Sequence, residues 1–179
     1  KARARDLTIY DATCPLVTKV HMEVIKMHKQ GYRIIMIGHA GHPEVEGTVG
    51  QVDSEINVIE KPAQVWDLEV ENPEKVAYVS QTTISYDDAK GLIQELKKRF
   101  PLVAEPKKAD ICYATQNRQD AVKELARRVD LVLVVGSKSS SNSNRLREVA
   151  EGAGTKAYLL DDAGEINPDW FKGIERVGI

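Results

Sequence analysis

The feature that most restricts the fold of this chain is a unit that occurs twice. The first copy runs from Asp11 to Gly47: Asp-Ala-Thr-Cys-Pro-Leu-Val, a helical stretch, an apolar run, then Ile-Gly-His-Ala-Gly-His-Pro-Glu-Val-Glu-Gly. A reduced copy runs from Asp110 to Asn144, where Ile-Cys-Tyr-Ala-Thr leads through the same elements to Gly-Ser-Lys-Ser-Ser-Ser-Asn-Ser-Asn. Cys14 precedes Gly38 by 24 residues, Cys112 precedes Gly136 by 24, and the copies are offset by 98. Both cysteines of the chain therefore occupy the same point of the unit. Within 179 residues, such a repeat predicts two lobes of similar plan, 1–104 and 105–179.

The local pattern fills in each lobe. Leu7 to Tyr10 is short, apolar and β-prone, which predicts a strand. Pro15 suits a first helical position, and Leu16, Val20, Val24 and Met27 then share one helical face before Gly31 ends it. Tyr32 to Ile37 is apolar apart from Arg33, the pattern of a strand covered on both faces of a parallel sheet. After a loop at 38–41, Pro43 opens a short helix. Strands are predicted at Ile56–Ile59 and Val76–Ser80, with a helix from Pro62 between them that buries Val65, Trp66 and Leu68. A long helix from about Ser85 to Arg99 carries the stripe Ala89, Leu92, Ile93, Leu96, Phe100. Its acidic first turn and basic last turn match the helix dipole.

Pro101 to Ala109 reads as the lobe boundary. The plan then restarts with a strand ending at Cys112 and a helix from about Asn117 to Arg128 that packs through Val122, Leu125, Ala126 and Val129. Strands follow at Leu131–Val135, Lys156–Leu160 and Arg176–Ile179, with helices at Asn142–Glu151 and Pro168–Lys172 between them. The chain begins at Lys1 and stops before any counterpart of Gln81-Thr82-Thr83 or of the helix after it, so it reads as a piece of something longer. Strands alternating with helices predict an α/β fold, each lobe a small, mostly parallel sheet flanked by helices. Ligands of such sheets bind beyond the carboxyl ends of the strands, where the repeated loops fall.

Composition narrows the function classes. Hydrophobic residues at 42% and charged residues at 29% describe a soluble globular chain. A net charge of −2 gives no basic field for general nucleic-acid binding. No apolar run approaches the roughly 20 residues of a membrane span, and the polar start has no signal-peptide core. Two distant cysteines point to reduced thiols and a cytoplasmic setting.

The chemistry-bearing residues concentrate in the repeated loops. A lone cysteine is commonly a small buried apolar residue, but two at matched positions can face one centre, and soft thiolates select zinc, copper(I) or iron–sulfur clusters. Two thiolates do not complete such a site, so it would need His39, His42 or a cysteine from elsewhere. His21 and His28, seven apart on one helix, read as surface or packing residues. His39, His42 and Glu44 crowd a loop rich in glycine: the imidazoles could hold an anion and the carboxylate could move protons. The same residues could equally form a capped, solvated turn. The serines from 137 to 143, with Lys138 and Asn142, could cradle a phosphate at a helix start or simply cap it. Gln81-Thr82-Thr83, at a strand end, is a weaker signal.

Five motifs together, Asp-Ala-Thr-Cys-Pro-Leu-Val-Thr-Lys-Val-His, Gly-His-Ala-Gly-His-Pro-Glu-Val-Glu-Gly, Gln-Thr-Thr, Asp-Ile-Cys-Tyr-Ala-Thr and Val-Gly-Ser-Lys-Ser-Ser-Ser-Asn-Ser-Asn-Arg, resemble those of the hydroxymethylbutenyl diphosphate reductases, the LytB or IspH family. The resemblance implies three similar α/β lobes in a pseudo-threefold arrangement around a 4Fe–4S cluster, one cysteine ligand per lobe, with Cys14 and Cys112 as two of them. It implies His42, Ser140, Ser141 and Asn142 on the diphosphate, Glu44 in proton delivery, Thr82 near the substrate hydroxyl, and ferredoxin or flavodoxin as electron donor. The N-terminal lobe and a C-terminal segment of the family have no counterpart here, which leaves the ligand set incomplete and predicts little activity for these residues alone. The alternative from another class is a non-redox phosphate-binding α/β module with inert cysteines.

Overall fold

The computed structural model describes residues 5–107 and 109–179. Lys108 of the predicted boundary and the first four residues lie outside the described residues.

Helix α1 spans Pro15–Lys29 and strand β1 spans Arg33–Ile37. A short helix α2 covers Pro43–Val49, and strands β2 and β3 cover Asn57–Ile59 and Val76–Ser80. Both strands pair with β1 in parallel, giving the order β2-β1-β3. The central place of β1 explains its unbroken apolar run: Ile34 and Met36 face one layer, Ile35 and Ile37 the other. Val20, Val24 and Met27 of α1, with Val45 of α2, cover the first face. Helix α3, Tyr86–Arg99, covers the second through Ala89, Leu92 and Leu96. Fully burying a leucine contributes about 1.5–3 kcal/mol, so Leu92 and Leu96 do much to hold α3 in place.

The second lobe repeats the plan. Helix α4 spans Tyr113–Ala126, β4 Leu131–Val135, helix α5 Ser141–Gly152, β5 Lys156–Leu160 and β6 Val177–Gly178. Its strands are again parallel, in the order β5-β4-β6. Val132 and Val134 meet α4 and α5 through Ala126 and Ala150, as Ile34 and Met36 meet α1 and α2. On the other face, Leu131, Leu133 and Leu160 pack against Tyr158 of β5 and against Trp170 and Phe171 from the turn at Pro168–Phe171. Tyr158 and Trp170 stack with ring centroids 3.9 Å apart. No α3-like helix covers this face among the described residues. Accordingly Val135 is 62% exposed, whereas its repeat equivalent Ile37 is fully covered at 0%.

Several local expectations fail. Leu7–Tyr10 is not a strand but an exposed irregular segment, because a strand needs a neighbour to accept its ladder and none lies beside it among the described residues. No strand precedes Cys112 either: Asp110 and Ile111 cross from the first lobe as a bend. The helix at Pro62 is a single 3-10 turn ending at Val65, and Trp66 lies outside, its Nε1 donating to Glu95 Oε2 at 3.3 Å. Helices α4 and α5 also begin earlier than expected, at Tyr113 and Ser141. The last correction places Cys112 at a helix N-cap.

Candidate functional site

Cys14 and Cys112 occupy equivalent positions, each the N-cap of the first helix of its lobe, with φ −55°, ψ 132° and φ −61°, ψ 130°. Neither thiol makes a capping hydrogen bond, so both sulfurs are left for other chemistry. Two contacts draw the helix starts together. Lys19 Nζ on α1 donates to Ala109 O at 3.2 Å and pairs with Asp110 Oδ1 at 3.0 Å. Asp110 Oδ2 in turn accepts from Ser80 N at 2.9 Å, and Cys112 N donates to Thr82 O at 3.0 Å. Cys112 is thereby stitched to the carboxyl end of β3.

The loop after β1 is shaped by Gly38. A Cβ there would come within 2.8 Å of Val45 Cγ2 and 3.1 Å of Gln81 Cβ, too close for any other residue without displacement. Gly136 plays the same part after β4, where a Cβ would overlap the Ser143 hydroxyl. His42 caps α2, its Nδ1 accepting from Glu44 N at 3.1 Å. An accepting Nδ1 puts the proton of the neutral ring on Nε2, which is free to donate to a ligand.

Glu44 then reaches across to the end of β3. Its Oε1 accepts from Thr82 N at 2.6 Å and its Oε2 from the Thr82 hydroxyl at 3.0 Å. Glu44, expected in proton delivery, and Thr82, expected near the substrate hydroxyl, are thus in direct contact. Beside them, the buried Gln81 amide joins three segments. Its Oε1 accepts from His39 N at 3.0 Å, and its Nε2 donates to Thr83 Oγ1 at 2.9 Å and Ser141 Oγ at 3.2 Å. Ser141 and Thr83 hydroxyls also meet at 2.9 Å, which seats the serine loop of the second lobe against the end of β3.

In that loop Ser140 caps α5, its Oγ accepting from Ser143 N at 3.3 Å. As first residues of the helix, Ser141 and Asn142 have no intrahelical acceptor for their N–H groups. Asn142 Oδ1 is buried without a hydrogen-bond partner among the described groups, a state that costs about 1–3 kcal/mol.

His39 and His42 do not complete a metal ligand set with the cysteines. His42 Nδ1 is spent on its cap; His39 Nε2 lies 2.7 Å from Arg145 Nη2, and its Nδ1 lies 3.6 Å from Glu60 Oε2. Among the described residues no group of three or more His, Cys, Asp or Glu side chains could hold a metal ion. Two thiols alone do not complete a donor set for a metal or an iron–sulfur cluster.

Sequence reasoning undervalued Gln81 and Arg145. Gln81 is fully buried although polar, a clue the Gln-Thr-Thr run could not reveal without the fold. His21, expected at the surface or in packing, packs beside Gly47 of α2, its Nε2 buried with no hydrogen-bond partner among the described groups. Burial holds its pKa down, while the charges of Glu44 and Asp11 pull it up. Arg145 was never singled out; its cue was only its place one turn after the serines.

The architecture is that of an α/β protein built on two related parallel sheets, with its polar residues gathered where the strands end. The family model described as LytB protein matches residues 1–179, and the chain belongs to that family. It is 60% identical over its full length to a 4-hydroxy-3-methylbut-2-enyl diphosphate reductase of Methylibium petroleiphilum, of which it covers 54%. The corresponding reductase of Aromatoleum aromaticum is 59% identical, with 57% covered. Among solved structures, the E-1-hydroxy-2-methyl-but-2-enyl-4-diphosphate reductase of Plasmodium falciparum superposes with a TM-score of 0.94 at 36% identity, over 99% of this chain and 56% of that one. A second, described as the terminal enzyme of the non-mevalonate pathway, gives a TM-score of 0.58 at 33% identity and covers 99% and 63%. The chain thus spans little more than half the length of the curated relatives it matches.

Proposed function

We propose that these residues are the second lobe (1–104) and most of the third lobe (105–179) of a reductase that removes the hydroxyl of hydroxymethylbutenyl diphosphate, giving isopentenyl and dimethylallyl diphosphates for isoprenoid biosynthesis. The observation that carries this reading is the two-point contact of Glu44 with Thr82. In the reaction two electrons and two protons enter, the carbon–oxygen bond breaks, the hydroxyl leaves as water with one proton, and the allylic carbon takes the other. Thr82 Oγ1 donates to Glu44 Oε2 when the carboxylate is bare, and can turn outward to a substrate oxygen when Glu44 is protonated. That geometry suits proton delivery to a leaving hydroxyl.

The His42 Nε2–H and the first turn of α5, with Ser140, Ser141 and Asn142, hold the diphosphate in this reading. Cys14 and Cys112 supply two ligands of a 4Fe–4S cluster, and a thiol from a lobe outside these residues supplies the third. Ferredoxin or flavodoxin delivers the electrons, in the cytoplasm, where thiols stay reduced.

The test pairs the chain with the segment of the Methylibium petroleiphilum relative that it does not cover, under anaerobic loading with iron and sulfide. The pair should retain iron and turn over hydroxymethylbutenyl diphosphate, and the chain alone should not. Glu44→Gln should keep the iron and lower kcat about 100-fold or more, while Cys112→Ser should lose the iron. Turnover indifferent to Glu44→Gln, or iron indifferent to both cysteines, overturns the reading.

A further inference from the structure

Each buried apolar core among the described residues belongs to one sheet, and across the lobe boundary the half-buried Ile111 packs against the core of the first. Polar contacts also join the lobes, and one side chain bridges two elements of the first lobe from α5. Arg145 sits one turn into α5 with its side chain only 12% exposed. Its Nη1 reaches Asp88 Oδ2 of α3 at 3.1 Å and Glu148 Oε2 at 2.7 Å, and its Nη2 reaches His39 Nε2 at 2.7 Å. The guanidinium has no acceptor atom, so the short contact requires a bare His39 Nε2 and a proton on Nδ1, the side that faces Glu60 Oε2 at 3.6 Å. Glu60 also accepts from Ala40 N at 2.7 Å, which fixes the loop between His39 and His42.

We propose that Arg145 is the positioning residue that clasps the serine-bearing helix α5 to the loop carrying His39 and His42, and so sets the width of the diphosphate cradle. It touches neither substrate nor cluster in this reading, and its role in the cradle rests on the function proposed above. The fork of a guanidinium matters as much as its charge. One nitrogen holds the acidic anchors and the other the imidazole, a division that a lysine ammonium at the end of a single stem cannot reproduce. Ser141, three residues after Lys138 and four before Arg145, lies on the same helix, so a tilt of α5 moves the cradle directly.

The experiment uses the 179-residue chain with three variants: Arg145→Gln, Arg145→Lys and, as an indirect perturbation of its anchor, Asp88→Asn. Far-UV circular dichroism first establishes that each is folded. Nitrogen NMR of the imidazoles then reads the His39 tautomer, residual dipolar couplings read the angle between the sheets, and titration with inorganic pyrophosphate reads the cradle. The chain should show the Nδ1–H tautomer at His39. Arg145→Gln and Arg145→Lys should both lose that preference, change the angle between the sheets, and weaken pyrophosphate binding about tenfold. Asp88→Asn should shift all three readouts in the same direction by less. An unchanged tautomer and inter-sheet angle in folded Arg145→Gln overturn the clasp, and full rescue by lysine overturns the argument from the fork. If the parent chain binds no pyrophosphate, the cradle reading fails, and the tautomer and angle still decide whether Arg145 is the clasp.

Discussion

Glu23 and Asp110 meet where α1 touches the segment entering the second lobe, with the Lys19 ammonium 3.8 Å from Glu23 Oε2 and 3.0 Å from Asp110 Oδ1. Burial pushes the Asp110 carboxyl above its ordinary range, although the Ser80 N–H and Lys19 pull the other way. Glu23 is also raised, first by burial and then by the charge of Asp110. From about pH 4 upward, the folded chain therefore holds protons that the unfolded chain has released. Unfolding free energy falls as pH rises through that window and levels off above the raised values. Glu23→Gln removes one of the titrating groups, so the fall measured by urea denaturation between about pH 4 and 7 should become shallower; the same slope in both proteins would exclude the pair as its source. At this scale the sequence was informative about which residue types gather, and silent about how they pair. Glu44 and Thr82 could be nominated from their motifs, but their contact spans 38 positions and appears only when β1 and β3 lie side by side. Gln81, Asp110 and Arg145 act through burial and reach, which no local pattern encodes.

Among the elements, α3 covers one face of the first lobe's sheet. It brings Leu92 and Leu96 onto Ile35, Val76 and Tyr78, and its Ser85 cap accepts from Asp88 N at 3.2 Å. Leu92→Ala should lower stability by about 2–5 kcal/mol, the range for buried leucine truncation. Thermal unfolding checks it, and a loss under 1 kcal/mol would mean that α3 is not seated as described. Helices and central strands were legible because their periodicity is local: the stripe of α3 and the unbroken runs of β1, β3 and β4 need no tertiary knowledge. Leu7–Tyr10 misled for the complementary reason. Its apolar residues fit a strand, but a strand exists only when a neighbour pairs with it. Trp66 misled through its size, since a large aromatic is expected inside and here its indole N–H reaches Glu95 at the surface.

Over the whole molecule the lobes differ in completeness. The β2-β1-β3 sheet is covered on both faces by helices, whereas one face of the β5-β4-β6 sheet rests on the Pro168–Phe171 turn and leaves Val135 and Ile179 open to solvent. Protection against hydrogen exchange follows buried contact, so amides of β1 and β3 should exchange more slowly than those of β4 and β5 in mass-spectrometric measurement. Equal protection would show that the two sheets open as one unit. The repeat made the two-lobe plan readable in advance; the polar seam between the lobes was not, because it is assembled from single side chains far apart in sequence. The strand order adds a consequence for biosynthesis. β1 is the middle strand of its sheet but the first to leave the ribosome, and its partner β3 follows roughly 40 residues later, about 2–8 s at ordinary elongation rates of about 5–20 residues per second. Throughout that interval Ile34-Ile35-Met36-Ile37 has at least one open edge, the situation in which nascent chains associate with one another. The only charge in the strand, Arg33, stands at its entry, where a basic residue discourages such pairing.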